Sequence, residues 1–331
     1  MTRILDNLNR ARDDPKSDYH LAISLRNLLS QARSGSIKSP DIVEERLGDL
    51  NASPILEAVY SHAYWELTDG DAYTEGAQPA LQSYQEAFEA AIENEWSGVA
   101  VFCLSELITL YGELNHEEEL RRWLETAVSV LETEYSGQDV HLGNVSRLLD
   151  TIQGHRHIAP EPVLQRVIDY LQKRIEYARQ QDAYQNERGF IEDLIDLKAY
   201  LGEDTGAEKA AIADSFEAEA EEKSQRSSMV RASVLYTAIE RCEAFVDDRR
   251  VAEWKREARA ANRAAFQNEM TEVTHEPDEE DVEELEEAIE SLVETYERWS
   301  DQFDPSSAFK FLLTQKPFLP DLETYREIAE G

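Results

Sequence analysis

Two Glu-x-x-His pairs, Glu113/His116 and Glu272/His275, carry the spacing in this chain that could ligate a metal. Residues three apart share a helix face, and ferritin-like di-iron bundles use that spacing to present a carboxylate and an imidazole together. Such a centre needs two further bridging carboxylates. Both pairs sit at expected helix ends, in GELNHEEE and EVTHEPDEE, far apart in the chain. With 69 Asp and Glu residues available, a chance Glu-x-x-His is easily produced. No metal and no cofactor is therefore expected. His155-Arg156-His157, with His141 nearby, is the densest imidazole and cationic cluster and could meet an anion or a metal, although a solvated interhelical loop has the same composition. Arg121-Arg122 and Arg249-Arg250 fall in first turns or interhelical turns, where carboxylates are the expected partners and each exposed pair contributes about 0–1 kcal/mol. His155, Arg156, His157, Arg249 and Arg250 are the candidate partner-binding residues.

No catalytic signature accompanies them. The chain has no Gly-x-Gly, no Gly-Lys-Ser/Thr, no Gly-x-Ser-x-Gly and no His-Glu-x-x-His, so phosphate-cradling loops, nucleophile elbows and zincin helices are unsupported. Paired carboxylates such as Asp193/Asp196 are too common here to single out, and Trp123, Trp254 and Tyr200 have the helical spacing of core aromatics. An enzyme is not expected.

The elements that would position these residues recur. Apolar clusters at Tyr64/Trp65, Leu107/Ile108, Leu148/Leu149, Leu194/Ile195 and Val234/Leu235 follow one another at intervals of 40 to 46 residues, each trailed by a second apolar-periodic stretch. A period of that length with two helices per unit is the signature of a helical solenoid. The pairs are read as about 53–68 with 77–94, Leu104–Tyr111 with Leu120–Leu131, 140–181 broken at GHRHIAPEP, FIEDLIDLKAYLG with 207–222, and 229–245 with 251–270. Gly112-Glu113-Leu114-Asn115 and Gly202 supply breaks, Pro160 and Pro162 help to start a helix, and Ser39-Pro40-Asp41 begins another. Strand patterns are almost absent. The expected fold is all-α: a right-handed helical-hairpin solenoid of about five pairs, with 1–50 as an N-terminal helical cap and 51–272 as the repeat array. Residues 273–331 form an acidic linker, a helix and a C-terminal cap or docking segment.

Composition narrows the partners. Thirty-three Lys and Arg against 69 Asp and Glu give a net charge of −36, and only nine of the 33 are lysine. A carboxylate-rich, lysine-poor surface resembles those of cytoplasmic proteins from salt-in halophiles, where concentrated salt screens self-repulsion over about 3 Å. Folding is then expected to need high salt. Sequence-independent nucleic-acid binding is disfavoured, since it needs clustered cations to release counterions. Cys103 and Cys242 stand far apart in apolar stretches and read as small core residues. No apolar run approaches a membrane span and the N-terminus has no signal-like core, so a cytoplasmic protein with no membrane partner is expected.

The segment 107–132, LITLYGELNHEEELRRWLETAVSVLE, resembles a tetratricopeptide-type repeat through Tyr111-Gly112 and Ala127, and the similarity extends loosely over 53–270. The units here are longer than that family's 34 residues, a length that suits HEAT-like or armadillo-like stacking equally. The family's peptide-carboxylate clamp finds no matching residues. Through its C-terminal FLLTQKPFLPD, the whole chain resembles the helical N-terminal region that precedes an HEPN-type nuclease domain in some large microbial proteins, but the Arg-to-His spacing of that nuclease is missing. The resemblances imply a non-catalytic scaffold holding a protein partner in its concave groove. A regulatory or sensor arm of an HEPN-associated effector system is the alternative, and a helical metalloenzyme built on the Glu-x-x-His pairs the more distant one.

Overall fold

The computed structural model describes residues 2–68, 74–134, 142–225 and 227–272. The expected acidic helix and tail of 273–331, His141 and His275 lie outside these residues. Among the described residues the chain is all-helical, with thirteen α-helices and no strand. They are α1 Thr2–Asp13, α2 Asp18–Arg33, α3 Pro40–Leu47, α4 Pro54–Thr68, α5 Thr74–Glu93, α6 Ser97–Glu113 and α7 Glu117–Glu134, then α8 Leu142–Gly154, α9 Glu161–Gln180, α10 Tyr184–Tyr200, α11 Gly206–Ser224, α12 Ser228–Cys242 and α13 Asp248–Glu272. None of them is long and apolar enough to cross a membrane.

The helix starts and stops have local causes. Pro40 opens α3 behind Ser39, whose hydroxyl accepts from the Asp41 amide at 3.2 Å. Four helices end in the same way. Glu95, Asn115, Asp182 and Gly202 take positive φ values of 59°, 56°, 52° and 76°. Behind each, the next residue's amide reaches five residues back: Trp96 to Ala91, His116 to Tyr111, Ala183 to Ala178 and Glu203 to Lys198, at 2.8–3.0 Å. These are Schellman closures, which satisfy carbonyls that the last helical turn leaves open. Two of them close α5 and α6, and two close α9 and α10, an offset of 87 residues in each case (95 to 182, 115 to 202).

The contacts divide the chain into two compact units at Leu171/Gln172, inside α9. In the first unit α4, α5, α6, α7 and α8 each lie against the next. Within the segment 1–50, α2 packs on both α4 and α6. Its approach to α6 depends on Gly98, where a Cβ would meet the Tyr19 Cα and the Asp18 carboxylate at 3.1 Å. Asp18, buried, then accepts from the Val99 amide at 3.0 Å. The N-terminus of α6 has no capping side chain of its own, so a residue of α2 supplies the cap. Helix α6 is buried on almost every side, from Gly98 through Leu110 and Tyr111.

In the second unit α10, α11, α12 and α13 pack each on the next. Phe190, Leu194, Leu197, Phe216, Leu235, Ile239 and Trp254 form its core. Cys103 and Cys242 are both buried thiols, and Trp123 and Trp254 are buried as their spacing predicts. Tyr200 departs from that expectation and is 44% exposed, because it stands at the last residue of α10 just before the chain turns at Gly202. Tyr64, in the first apolar cluster, is likewise exposed beside the buried Trp65.

Candidate functional site

Helix α6 is apolar around nearly its whole circumference, yet it carries Glu106, which is 1% exposed. An isolated carboxylate at such a position costs several kcal/mol, so partners must converge on it. Arg33, at the last turn of α2, donates from Nη2 to Glu106 Oε2 at 2.9 Å and from Nε to Glu66 Oε1 of α4 at 2.8 Å. Arg147 of α8 approaches Glu106 Oε1 at 3.5 Å from the other side. His62, fully buried on α4, stands between these groups. Its Nε2 lies 3.1 Å from Arg33 Nη2 and 3.5 Å from Glu66 Oε1, and its Nδ1 lies 3.1 Å from the buried Tyr84 hydroxyl of α5.

Either proton state of that imidazole finds partners. A neutral ring accepts from Arg33 at Nε2 and donates to Tyr84 from Nδ1; a protonated ring donates to Glu66 and Tyr84. The Glu66 carboxyl is held down at about 2 by the His62 ring and then by Arg33, against the opposing cost of burial. Burial, followed by the negative field of Glu106, pushes the Tyr84 phenol and the Cys103 thiol well up.

The polar strip continues along α6 to the surface. Glu106, Thr109 and Glu113 are spaced i, i+3 and i+7, which puts them on one face. Glu113 reaches solvent, and its carboxyl is raised first by partial burial, with Arg33 and His62 pulling it down and Glu66 and Glu106 pushing it up. It lines a cavity of about 370 Å³ together with Thr109, Asn115, Leu120, His155 and His157. His155 is oriented by donation from Nδ1 to the Thr151 carbonyl at 2.9 Å. Its ring lies against Gly112, where a Cβ would fall 2.6 Å from Nε2.

The structure thus brings Glu113 and the His155/His157 loop to one cavity, a juxtaposition absent from the linear spacing. Glu113 and His116 do not share a helical face: α6 ends at Glu113, and the left-handed Asn115 intervenes. Among the described residues no three His, Cys, Asp or Glu side chains are grouped to hold a metal ion. Arg156 is half-buried in the loop. Arg121 pairs with Glu117 at 2.9 Å. In the second unit Arg249 is almost fully exposed and pairs with Glu253 at 3.2 Å, one turn away on α13. Arg250 instead reaches Glu217 at 2.7 Å and Asp214 at 2.6 Å on α11 and lies over the Trp254 ring.

No family model, no curated protein and no solved structure matches this chain. The site therefore rests on its own geometry. Sequence reasoning missed Arg33, His62, Glu66, Tyr84, Glu106 and Arg147. The one signal that could have found the site is Glu106 itself, an acid inside VAVFCLSELITLY, a run with no other charge.

Proposed function

We propose that this protein is a non-catalytic interaction scaffold, a right-handed tetratricopeptide-like or HEAT-like solenoid that holds a protein partner along the face made by the first helices of its pairs. Supporting this reading, the described residues are all helical, and the Schellman closures repeat at an 87-residue offset. The observation that carries it is the strip Glu106, Thr109 and Glu113 on α6, which runs from the buried charge network to a cavity lined by Thr109 and Glu113 between the ends of α6 and α8. Cores of helical repeats are apolar, and a charged strip reaching the surface gives a partner oriented polar contacts.

The test is capture of partners on the tagged full chain at molar KCl, with the wild type beside Glu113→Lys and His157→Glu. Both substitutions alter cavity-lining side chains without entering the core. A protein retained by the wild type and lost from both variants supports the groove. Equal retention by all three removes this face from the binding surface.

A further inference from the structure

Arg26 lies on α2 seven residues before Arg33, about 10 Å along the helix axis. Its Nε is buried and has no hydrogen-bond partner, and the same holds for Nε of Arg147. Other arginines with an unmet buried nitrogen have their charge answered elsewhere: Arg174 lies over Tyr177 and Phe190, Arg188 pairs with Glu219, and Arg231 pairs with Glu257. Among the described residues Arg26 has no hydrogen bond, ion pair or ring contact. The groups that act on it are burial, then Arg147, then Glu106 and Tyr19, and the net result lowers its pKa. Repulsion from Arg147 thus outweighs attraction to Glu106. Glu106 is already engaged by Arg33 at 2.9 Å, and Arg147 reaches it only at 3.5 Å. In a chain of net charge −36, two half-buried guanidiniums that repel one another with donors unmet are the reverse of the general rule.

We propose that Arg26 and Arg147, flanking Glu106, form a binding site for one oxyanion group, a phosphate or a carboxylate of a small ligand. A guanidinium presents N–H donors in a fixed fork that suits either group. Glu106 engages Arg33 and Arg147, and the incoming anion is met by the solvent-facing parts of the Arg26 and Arg147 guanidiniums, both only partly buried. The site goes beyond the scaffold reading and needs no protein partner.

Titration calorimetry of the full chain with inorganic phosphate, at ionic strength held constant with KCl, tests this. Saturable binding at one site per chain is expected, weakened at least tenfold by Arg26→Gln and by Arg147→Gln and unchanged by the distant Arg249→Gln. Thermal midpoints measured in chloride alone guard against misfolding: Arg26→Gln should match or exceed the wild type, because the substitution removes a repulsion. Competition with acetate separates the two ligand chemistries, since acetate displaces phosphate at comparable concentration if the site prefers carboxylates and fails to if it prefers phosphate. Absence of saturable binding of either anion, or equal binding by wild type and Arg26→Gln, overturns the proposal. Neither result bears on whether a protein occupies the Glu113 cavity.

Discussion

Helices α6 and α10 end in the same Schellman geometry 87 residues apart, and both present Leu-Ile pairs, Leu107/Ile108 and Leu194/Ile195, at matching positions. Their surroundings differ. Helix α6 lies against α2, α5, α7 and α8, and only a few of its side chains reach solvent. Helix α10 packs on α11 and buries chiefly Phe190, Ile191, Leu194 and Leu197, together with Glu187 and Arg188. The charges follow that difference. In the second unit Glu187 accepts from Arg179 at 2.8 Å and from Ser215 at 2.7 Å, while Arg188 pairs with Glu219 and lies 4.0 Å over the Phe216 ring. Arg179 and Arg188 are thus each answered by a neighbouring carboxylate, and Arg188 also by an aromatic face. In the first unit, two helices, α2 and α8, deliver Arg33 and Arg147 to the one buried carboxylate of Glu106. A charge at the edge of a helix pair can be neutralised by its neighbour, whereas one at the centre needs groups brought from across the unit.

The largest expected break in that comparison is Glu106→Ala. It removes the buried carboxylate shared by Arg33 and Arg147, which are each partly exposed, and should cost at most about 3–5 kcal/mol, the range for removing one partner of a buried pair. Glu219→Ala removes a carboxylate that is itself 19% exposed and serves one arginine, which keeps the Phe216 face, and should cost clearly less. Urea unfolding of the two variants in the same salt checks the ranking, and equal losses would erase the distinction between the units.

Acid sharpens it next, within the first unit alone. Glu66 has its carboxyl depressed to about 2, so its contribution is present above the ordinary carboxylate range and is lost as pH falls from about 4.5 towards 2. Glu113 has its carboxyl raised, so its contribution is present below the ordinary range and is lost as pH rises through the shifted value. Stability measured between pH 2 and 7 should therefore fall less steeply at the acid end in Glu66→Gln than in the wild type. Glu113→Gln should remove a small loss seen on the way up from acid.

Two glycines give a smaller effect. Gly98→Ala forces a methyl against the α2 backbone at Tyr19 and should cost about 1–3 kcal/mol, the range for overpacking a tight contact. Gly112→Ala meets only the far end of the His155 ring, which can swing away. The second variant should lose less stability than the first, and chemical-shift or protease mapping should place its change at the 155–158 turn.

Smallest is the pair Arg249 and Arg250. Arg249→Ala removes an exposed one-turn ion pair and should change stability by less than about 0.5 kcal/mol. Arg250→Ala loses two carboxylates on α11 and the Trp254 face, and should be measurably worse. Thermal midpoints that ranked them the other way would mean that the α11–α13 charges are not acting as the structure places them.

The helices were legible along the chain because their causes are local. Apolar residues at i, i+3, i+4 and i+7, the Ser39-Pro40 start and the breaks at Asn115 and Gly202 are all decided by residues within about a turn of one another. The buried character of α6 could also be read, since VAVFCLSELITLY leaves no polar face. The place of α2 could not. Its contact with α6 depends on Gly98 lacking a side chain and on Asp18 finding an amide 81 positions away. Nor could the charge network, whose members run from Arg33 to Arg147 on five helices. With 69 carboxylates and 33 cations, almost any pairing is chemically acceptable, and which one forms is decided only when packing removes some of them from water. Periodicity specifies which face a helix buries, and long-range packing specifies which charges are buried with it.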